Sequence, residues 1–137
     1  MATILLNESD PSRRHLLRAR LQRQGHKVWS ASHLNDIVAL LHDVAVDLMI
    51  IDLDHQNLDE LVAFADHWKG IKILFQTSTA APLQDFRSWM ADQFVYKFHD
   101  SENLTLAVAQ LLHKKSPRPG ILKKTKAGRI AARFAMA

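Results

Sequence analysis

The feature that most constrains the fold is a run of four apolar residues at 48–51, with Asp47 before it and Asp52 and Asp54 after it. A short, unbroken apolar run between polar residues is typical of a strand that is buried on both faces of a parallel sheet. Ligands of such sheets bind just outside the carboxyl ends of the strands. Asp52 and Asp54 stand at that end, where a packed core has no use for a carboxylate. We therefore treat both as candidate functional residues, with a solvated loop as the alternative.

Strand and helix patterns alternate five times along the chain. The predicted strands occupy residues 3–6, 27–31, 48–51, 71–75 and 94–96. Helical apolar spacing follows each of them, at 11–24, 34–41, 58–68, 82–90 and 104–112. Five β-α units with short links predict an α/β fold, a five-stranded parallel sheet doubly wound by helices on both faces.

The first helix has clear sequence boundaries. Asp10 is a suitable N-cap, Pro11 suits the first helical position, and Gly25 suits the residue after the helix. We expect its core-facing residues to be Leu16, Leu17 and Leu21. We expect its arginines to be solvated; they are Arg13, Arg14, Arg18, Arg20 and Arg23.

Charge divides the chain into two parts. Residues 1–112 carry ten Lys/Arg and fourteen Asp/Glu, a net charge of −4, whereas residues 113–137 carry eight Lys/Arg and no acid. Regular patterns also stop after His113. We expect one domain at 1–113 and a basic, Pro/Gly-containing tail at 114–137 that forms at most a short terminal helix. A solvated tail is the simpler interpretation; the alternative is charge-driven binding of nucleic acid.

Composition excludes several classes of protein. The chain has no cysteine, so it has neither a disulfide framework nor thiolate chemistry. It has no apolar run of about 18 residues, so we predict no membrane span. The first strand pattern starts at Thr3 without a signal-peptide core, which favours a cytoplasmic protein. The eight histidines lack metal-site spacing, and we expect them to be scattered on the surface.

Chemically active side chains follow four of the five predicted strands. They are Glu8, Ser9 and Asp10, then Asp52 and Asp54, then Thr77 and Ser78, then Lys97. Parallel strands end at one edge, so these groups converge there. Clustered carboxylates need a cation, and oxygen ligands suit Mg²⁺. A carboxylate nucleophile, a metal, a hydroxyl and an ammonium group together favour phosphoryl transfer to an aspartate.

This pattern resembles the receiver domain of bacterial two-component response regulators, over residues 2–113. The segments that carry the resemblance are 4–13 (ILLNESDPSR), 47–52 (DLMIID), 75–78 (FQTS) and 94–97 (FVYK). Residues 85–92 are also similar to a subset of single-domain receivers. The resemblance implies the flavodoxin-like (β/α)5 receiver fold.

The resemblance also implies a role for each site residue. Asp52 is the expected phosphoacceptor, with Thr77 and Lys97 holding the phosphoryl oxygens. Phe94 is the expected switch aromatic that reports the state of Thr77. Glu8 binds the metal through water, and Asp54 binds it through its main-chain carbonyl. The implied metal ligands are therefore Glu8, Asp10, Asp52 and Asp54.

Three departures from the family pattern weaken the expected metal site and its surroundings. Ser9 replaces the acid that binds the metal directly, and neighbouring Asp10 is occupied as an N-cap. Phe98 replaces a proline that follows a cis peptide bond, so we expect a trans bond there. Residues 55–57 replace a loop that usually contains proline and glycine. We therefore expect Mg²⁺ to bind weakly or not at all.

Two functions stay open at this point. The first is a stand-alone receiver, not an enzyme beyond self-catalysed phosphorylation and dephosphorylation of Asp52. Its partners are a sensor histidine kinase or phosphotransfer protein, a downstream protein on the face of the fourth helix, fifth strand and fifth helix, and in some cases a second copy. The alternative is a phosphorylation-independent pseudo-receiver that acts as an interaction module.

Overall fold

A computed structural model describes residues 1–63, 68, 70–78, 91–97 and 101–113. The strands are β1 (Thr3–Leu6), β2 (Lys27–Ser30), β3 (Leu48–Asp52), β4 (Lys72–Thr77) and β5 (Gln93–Tyr96). The helices are α1 (Pro11–Arg23), α2 (Leu34–Asp43), α3 (Leu58–Ala63) and α4 (Ser101–His113). Within these ranges, no helix is both long and apolar enough to cross a membrane. The helix expected at 82–90 and the tail at 114–137 lie outside the described residues.

The five strands form one parallel sheet in the order β2-β1-β3-β4-β5. This confirms the predicted doubly wound, flavodoxin-like architecture. The strand order reverses between β1 and β3, because β2 lies on one side of β1 and the rest of the sheet on the other. In folds of this class the crevice at that reversal is where ligands bind. Asp52, the last residue of β3, stands at this crevice.

Alternating residues of the central strands pack against helices on opposite faces of the sheet. On β1, Ile4 and Leu6 join a core with α1 and α4, whereas Leu5 joins a second core with α2 and α3. On β3 all five residues are buried. A strand with both faces covered has no polar face, which is why its sequence is an unbroken apolar run.

Helix α1 begins and ends where the sequence predicts. The Asp10 side chain caps it by accepting from the Ser12 amide at 3.1 Å, and Gly25 follows it with a φ of 95°. One core assignment is wrong: Leu16 is 43% exposed, whereas Leu17 and Leu21 are fully buried. Leu17 and Leu21 are four residues apart and share a helix face, and Leu16 is turned about 100° from Leu17.

Asn7 joins three segments beneath the crevice. Its side-chain amide donates to the carbonyls of Ala31 at 2.9 Å and Ser32 at 3.2 Å, and its carbonyl accepts from the Asp52 amide at 3.1 Å. The Asn7 main-chain amide also donates to Ile50 at 2.8 Å. Asn7 is buried, so these bonds satisfy main-chain groups that water does not reach.

Replacing Asn7 by alanine is expected to lower the free energy of unfolding by about 3 kcal/mol, since each buried group left unpaired costs roughly 1–3 kcal/mol. Urea denaturation measures the loss. Asn35→Ala, at an exposed position of α2, is the matched control and should change stability by less than about 0.5 kcal/mol. Equal stabilities of the two variants would contradict the role assigned to Asn7.

Candidate functional site

The site forms around Asp52, whose carboxylate is buried at the end of β3. One carboxylate oxygen, Oδ1, accepts from the Asp54 amide at 3.0 Å. The other, Oδ2, accepts from the Ser9 hydroxyl at 3.0 Å and lies 3.3 Å from His55 Nδ1. Asp52 is 0% exposed, so these neighbours replace water as the partners of its charge.

Lys97, which follows β5, brings a cation to three carboxylates. Its Nζ lies 2.7 Å from Asp52 Oδ1, 3.2 Å from Asp54 Oδ2 and 3.7 Å from Glu8 Oε2. The Lys97 amide donates to the Thr77 carbonyl at 2.9 Å, which continues the β4–β5 ladder and fixes where the side chain starts. The predicted convergence of Glu8, Asp52, Asp54 and Lys97 is therefore present.

The side chain of Asp54 belongs to the cluster, beyond the main-chain role that the resemblance implied. Its Oδ1 accepts from the Thr77 hydroxyl at 3.2 Å and from the Ser78 amide at 3.0 Å. Thr77 is buried, whereas Asp54 is an exposed residue whose side chain is 20% exposed. Thr77 and Ser78 thus lie beside Asp54, and Lys97 connects this pair of strand ends to Asp52.

Glu8 sits in a network that sequence reasoning did not foresee. Its Oε1 accepts from Arg13 Nε at 3.1 Å and from the Gln76 side chain at 2.8 Å, and its Oε2 accepts from the Asp10 amide at 3.2 Å. The Arg14 guanidinium donates to the Glu8 carbonyl at 3.1 Å. The expectation that the arginines of α1 are merely solvated is therefore wrong for Arg13 and Arg14.

Ser9 and His55 close the outer side of the site. Ser9 Oγ lies 2.7 Å from His55 Nδ1, and both are close to Asp52 Oδ2. The His55 side chain is 58% exposed, whereas Asp52 has no exposed surface. Among the described residues, Ser9 and His55 thus lie beside the buried Asp52 carboxylate, and His55 brings an exposed side chain to it.

The remaining predicted residues lie at the margin. Asp10 is exposed and points its carboxylate at the start of α1, where it caps the helix rather than joining Asp52. Phe94 is half-buried, and its ring meets the Phe75 ring edge to face, 5.5 Å between centroids. Phe98 lies outside the described residues.

Ionisation follows from this arrangement. Burial opposes the charge on Asp52, but the Lys97 hydrogen bond and charge, with the Asp54 amide and Ser9, outweigh it and hold the pKa of Asp52 below its ordinary value. Burial likewise opposes ionisation of Asp54, and Ser78 and Lys97 lower its pKa. Burial opposes the charge on Lys97, but Asp52, Glu8 and Asp54 raise its pKa. Both carboxylates and the ammonium group are therefore charged at neutral pH.

The donor set does not fit a tightly held Mg²⁺. Ser9 offers a neutral hydroxyl where a charged ligand is needed, and both oxygens of Glu8 and of Asp52 already have partners. Across the described ranges, no group of three or more His, Asp or Glu side chains is arranged to hold a metal ion. What the arrangement offers is an ionised carboxylate beside a fixed ammonium group.

Arg13, Gln76 and His55 are the residues that the sequence analysis missed. The contacts of Arg13 with Gln76 and of Gln76 with Glu8 span 63 and 68 residues of chain, so no local pattern reveals them. One signal was present for Arg13. The first turn of α1 has arginine and no acid, although the helix dipole favours acids there, which suggests a nearby negative partner.

Among the comparisons with known proteins, the one with solved structures gives matches. No family model and no curated protein matches the sequence. Among solved structures, the fold is similar to the response regulator TrrA of Thermotoga maritima in complex with Mg²⁺-BeF, at 26% identity and a TM-score of 0.72, over 81% of this chain and 99% of TrrA.

Two further structures support this likeness. A complex of the histidine kinase ThkA with TrrA matches at 27% identity and a TM-score of 0.71, over 82% of this chain and 99% of that one. The chemotaxis response regulator CheY4 of Vibrio cholerae shares the fold at 20% identity and a TM-score of 0.71, over 81% of this chain and 98% of CheY4. With Asp52, Lys97 and Thr77 at the carboxyl ends of the strands of one parallel sheet, the chain has the fold of response regulator receiver domains.

Proposed function

We propose that this chain is a stand-alone receiver that accepts a phosphoryl group on Asp52 and signals by binding a partner protein. The observation that carries the proposal is the Lys97 ammonium group 2.7 Å from the Asp52 carboxylate, at the reversal of strand order. The carboxylate oxygen attacks phosphorus, the bond to the donor breaks, and an acyl phosphate forms on Asp52. Lys97 and Thr77 are the groups proposed to hold the phosphoryl oxygens. The protein is then a phosphoacceptor switch rather than an enzyme.

Access to Asp52 requires a small rearrangement. The carboxylate has no exposed surface, and the exposed His55 side chain lies over its Oδ2 at 3.3 Å. We infer that a phosphodonor reaches Asp52 by displacing His55, whose side chain is 58% exposed. Because His55 lies in the loop that follows β3, its displacement does not require the strands of the sheet to move.

The proposed partners follow from the class of protein. TrrA was solved bound to the kinase ThkA, which supports a histidine kinase or a phosphotransfer protein as the phosphodonor here. The surface proposed to bind a downstream protein consists of the fourth predicted helix, β5 and α4. A second copy of the chain is also proposed to bind through that face. A cytoplasmic location fits a cysteine-free chain and such partners.

The second candidate function is a phosphorylation-independent interaction module. It is favoured by Ser9 at the metal position and by the full set of partners that Glu8 already has. The basic tail at 114–137 is the basis of the least supported alternative, a nucleic-acid binder, because it rests on charge alone.

Phosphorylation tests the first candidate against the second. Incubation of the intact protein with acetyl phosphate is expected to add one phosphoryl group, seen by mass spectrometry, and Asp52→Asn is expected to abolish it because an amide does not attack phosphorus. Asp36→Asn, at an exposed position of α2, is the matched control and should be labelled normally. Labelling that persists in Asp52→Asn would place the acceptor elsewhere.

Restoring the missing acid tests the metal site. Ser9→Asp adds a charged oxygen ligand beside Asp52, so Mg²⁺ affinity should rise on the order of tenfold, equivalent to about 1.4 kcal/mol. Calorimetric titration measures it. Ser12→Asp puts the same charge on the exposed start of α1 and should leave the affinity unchanged. A similar gain in both variants would mean that general charge, rather than the site, attracts the ion.

Lys97→Met is expected to lower the free energy of unfolding by roughly 3 kcal/mol at neutral pH, because it leaves the buried Asp52 carboxylate without the lysine that neutralises it. The folded-state pKa values of Asp52 and Asp54 are lowered, so the stability they contribute is present above their ordinary value of 3.8 and is lost as pH falls through the folded-state values. The pKa of Lys97 is raised, so its contribution persists up to its ordinary value of 10.5 and is lost above it, as pH rises through the folded-state value.

The difference between wild type and Lys97→Met should therefore shrink below about pH 4, the range in which ordinary carboxylates become protonated. Urea denaturation across that range measures it. The exposed Lys27 supplies the control, since Lys27→Met should cost less than about 0.5 kcal/mol and show no such trend. A Lys97→Met difference that stays constant down to about pH 3 would show that packing, rather than charge, explains the loss.

A further inference from the structure

The acidic site is balanced by cations that the protein itself supplies. Two cationic side chains are directed at three carboxylates: Lys97 lies near Glu8, Asp52 and Asp54, and Arg13 contacts Glu8. The Arg14 guanidinium donates to the main-chain carbonyl of Glu8. Two of these acids, Glu8 and Asp52, are almost fully buried. Buried carboxylates in one cluster repel one another unless positive charge lies among them. Here the positive charge belongs to side chains of the protein itself, on α1 and on the residue that follows β5.

Arg13 is held in place by a closed ring of hydrogen bonds. Its Nε donates to Glu8 Oε1 at 3.1 Å and its terminal nitrogen donates to Gln76 Oε1 at 3.0 Å, while Gln76 Nε2 donates to the same Glu8 oxygen at 2.8 Å. The Arg13 side chain is only 17% exposed. A guanidinium fixed on two planar acceptors is a preorganised cation, which does not need to be recruited from solution.

The same ring uses the carboxylate through which a metal-bound water would be held. Glu8 Oε1 has two donors, and Oε2 has the Asp10 amide and the more distant Lys97 ammonium at 3.7 Å. A hydrated divalent ion has to displace donors that already neutralise Glu8. Ser9 offers it no charge in return.

We propose that Arg13 supplies the positive charge that Mg²⁺ supplies in metal-dependent receivers, so that Asp52 accepts a phosphoryl group without a divalent metal. The inference rests on the proposed phosphoacceptor function of Asp52. In the step with acetyl phosphate, an Asp52 oxygen forms a bond to phosphorus and the bond from phosphorus to the acetyl oxygen breaks. Acetate leaves with that electron pair, and no proton or electron has to be supplied. Arg13 acts through Glu8 and is a positioning residue.

The test is the metal dependence of phosphorylation in the intact chain. Wild-type protein is incubated with acetyl phosphate in excess EDTA and in millimolar Mg²⁺, and incorporation is followed by intact-protein mass spectrometry. The expected rates in the two conditions are equal within about threefold, a difference worth less than about 1 kcal/mol. Incorporation that requires Mg²⁺ would overturn this inference and leave the proposed function standing. No incorporation in either condition would overturn both, and would favour the interaction module.

Substitutions at Arg13 separate charge from structure. Arg13→Gln is expected to slow labelling in EDTA by about tenfold or more, equivalent to about 1.4 kcal/mol, and to regain much of the rate when Mg²⁺ is added. Arg13→Lys keeps the charge and should retain labelling in EDTA. Arg18→Gln, at an exposed position of the same helix, is the matched control and should behave as wild type. Equal labelling of Arg13→Gln and Arg18→Gln in EDTA would overturn the role of Arg13.

A double variant guards against simple misfolding of Arg13→Gln. Glu8→Gln with Arg13→Gln removes one acid and one cation together, so the charge of the site is unchanged. Labelling in EDTA should return to within about threefold of wild type, less than about 1 kcal/mol. Melting temperatures identify any variant that is not folded. A folded double variant that remains strictly dependent on Mg²⁺ would show that charge balance is not the cause.

Discussion

Burying two carboxylates at one edge of a sheet is the constraint on which the rest of this structure depends. Glu8 and Asp52 are 1% and 0% exposed, and an isolated buried charge of this kind is too costly to persist. Lys97 and Arg13 satisfy that demand from distant parts of the chain, and Asn7 fixes the main chain of Asp52. The topology places β1 beside β3, but the electrostatics of the crevice decides which side chains surround it.

The sequence predicts the sheet well because burial on both faces leaves an unmistakable apolar run. Boundaries are less certain where a strand continues past its apolar residues. Strand β4 extends to Thr77, two residues beyond the predicted end, because Gln76 and Thr77 keep pairing with β5. The buried amide of Gln76 is tolerated there only because Glu8 and Arg13 satisfy it. The end of β4 thus depends on pairing with β5, and on distant partners for the Gln76 side chain, which no local sequence pattern reveals.

The candidate site, like the sheet, was predictable where it depends on the positions of the strand ends, and was not predictable where it depends on long-range side-chain contacts. Glu8, Asp52, Asp54 and Lys97 come together because the carboxyl ends of parallel strands share an edge, which the β-α alternation alone implies. Arg13 lies on a helix instead, and its direction depends on how α1 is rotated about its axis. The sequence analysis wrongly placed Leu16 in the core because that assignment also depends on how α1 is rotated about its axis. Helix rotation is thus the quantity that this sequence specifies least directly.

The position of Arg13 in the first turn of α1 has a consequence for how this chain can vary. Two sets of contacts fix the rotation of α1 about its axis: Leu17 and Leu21 pack in the core, and the Arg13 guanidinium binds Glu8. Inserting one residue between Glu8 and Arg13 would turn the arginine by about 100° relative to the sheet, unless the leucines lost their places instead. The linker from β1 to α1 therefore has a fixed length. The effects of substitutions at Glu8, Arg13 and Gln76 are expected to depend on one another, because the three side chains share hydrogen bonds.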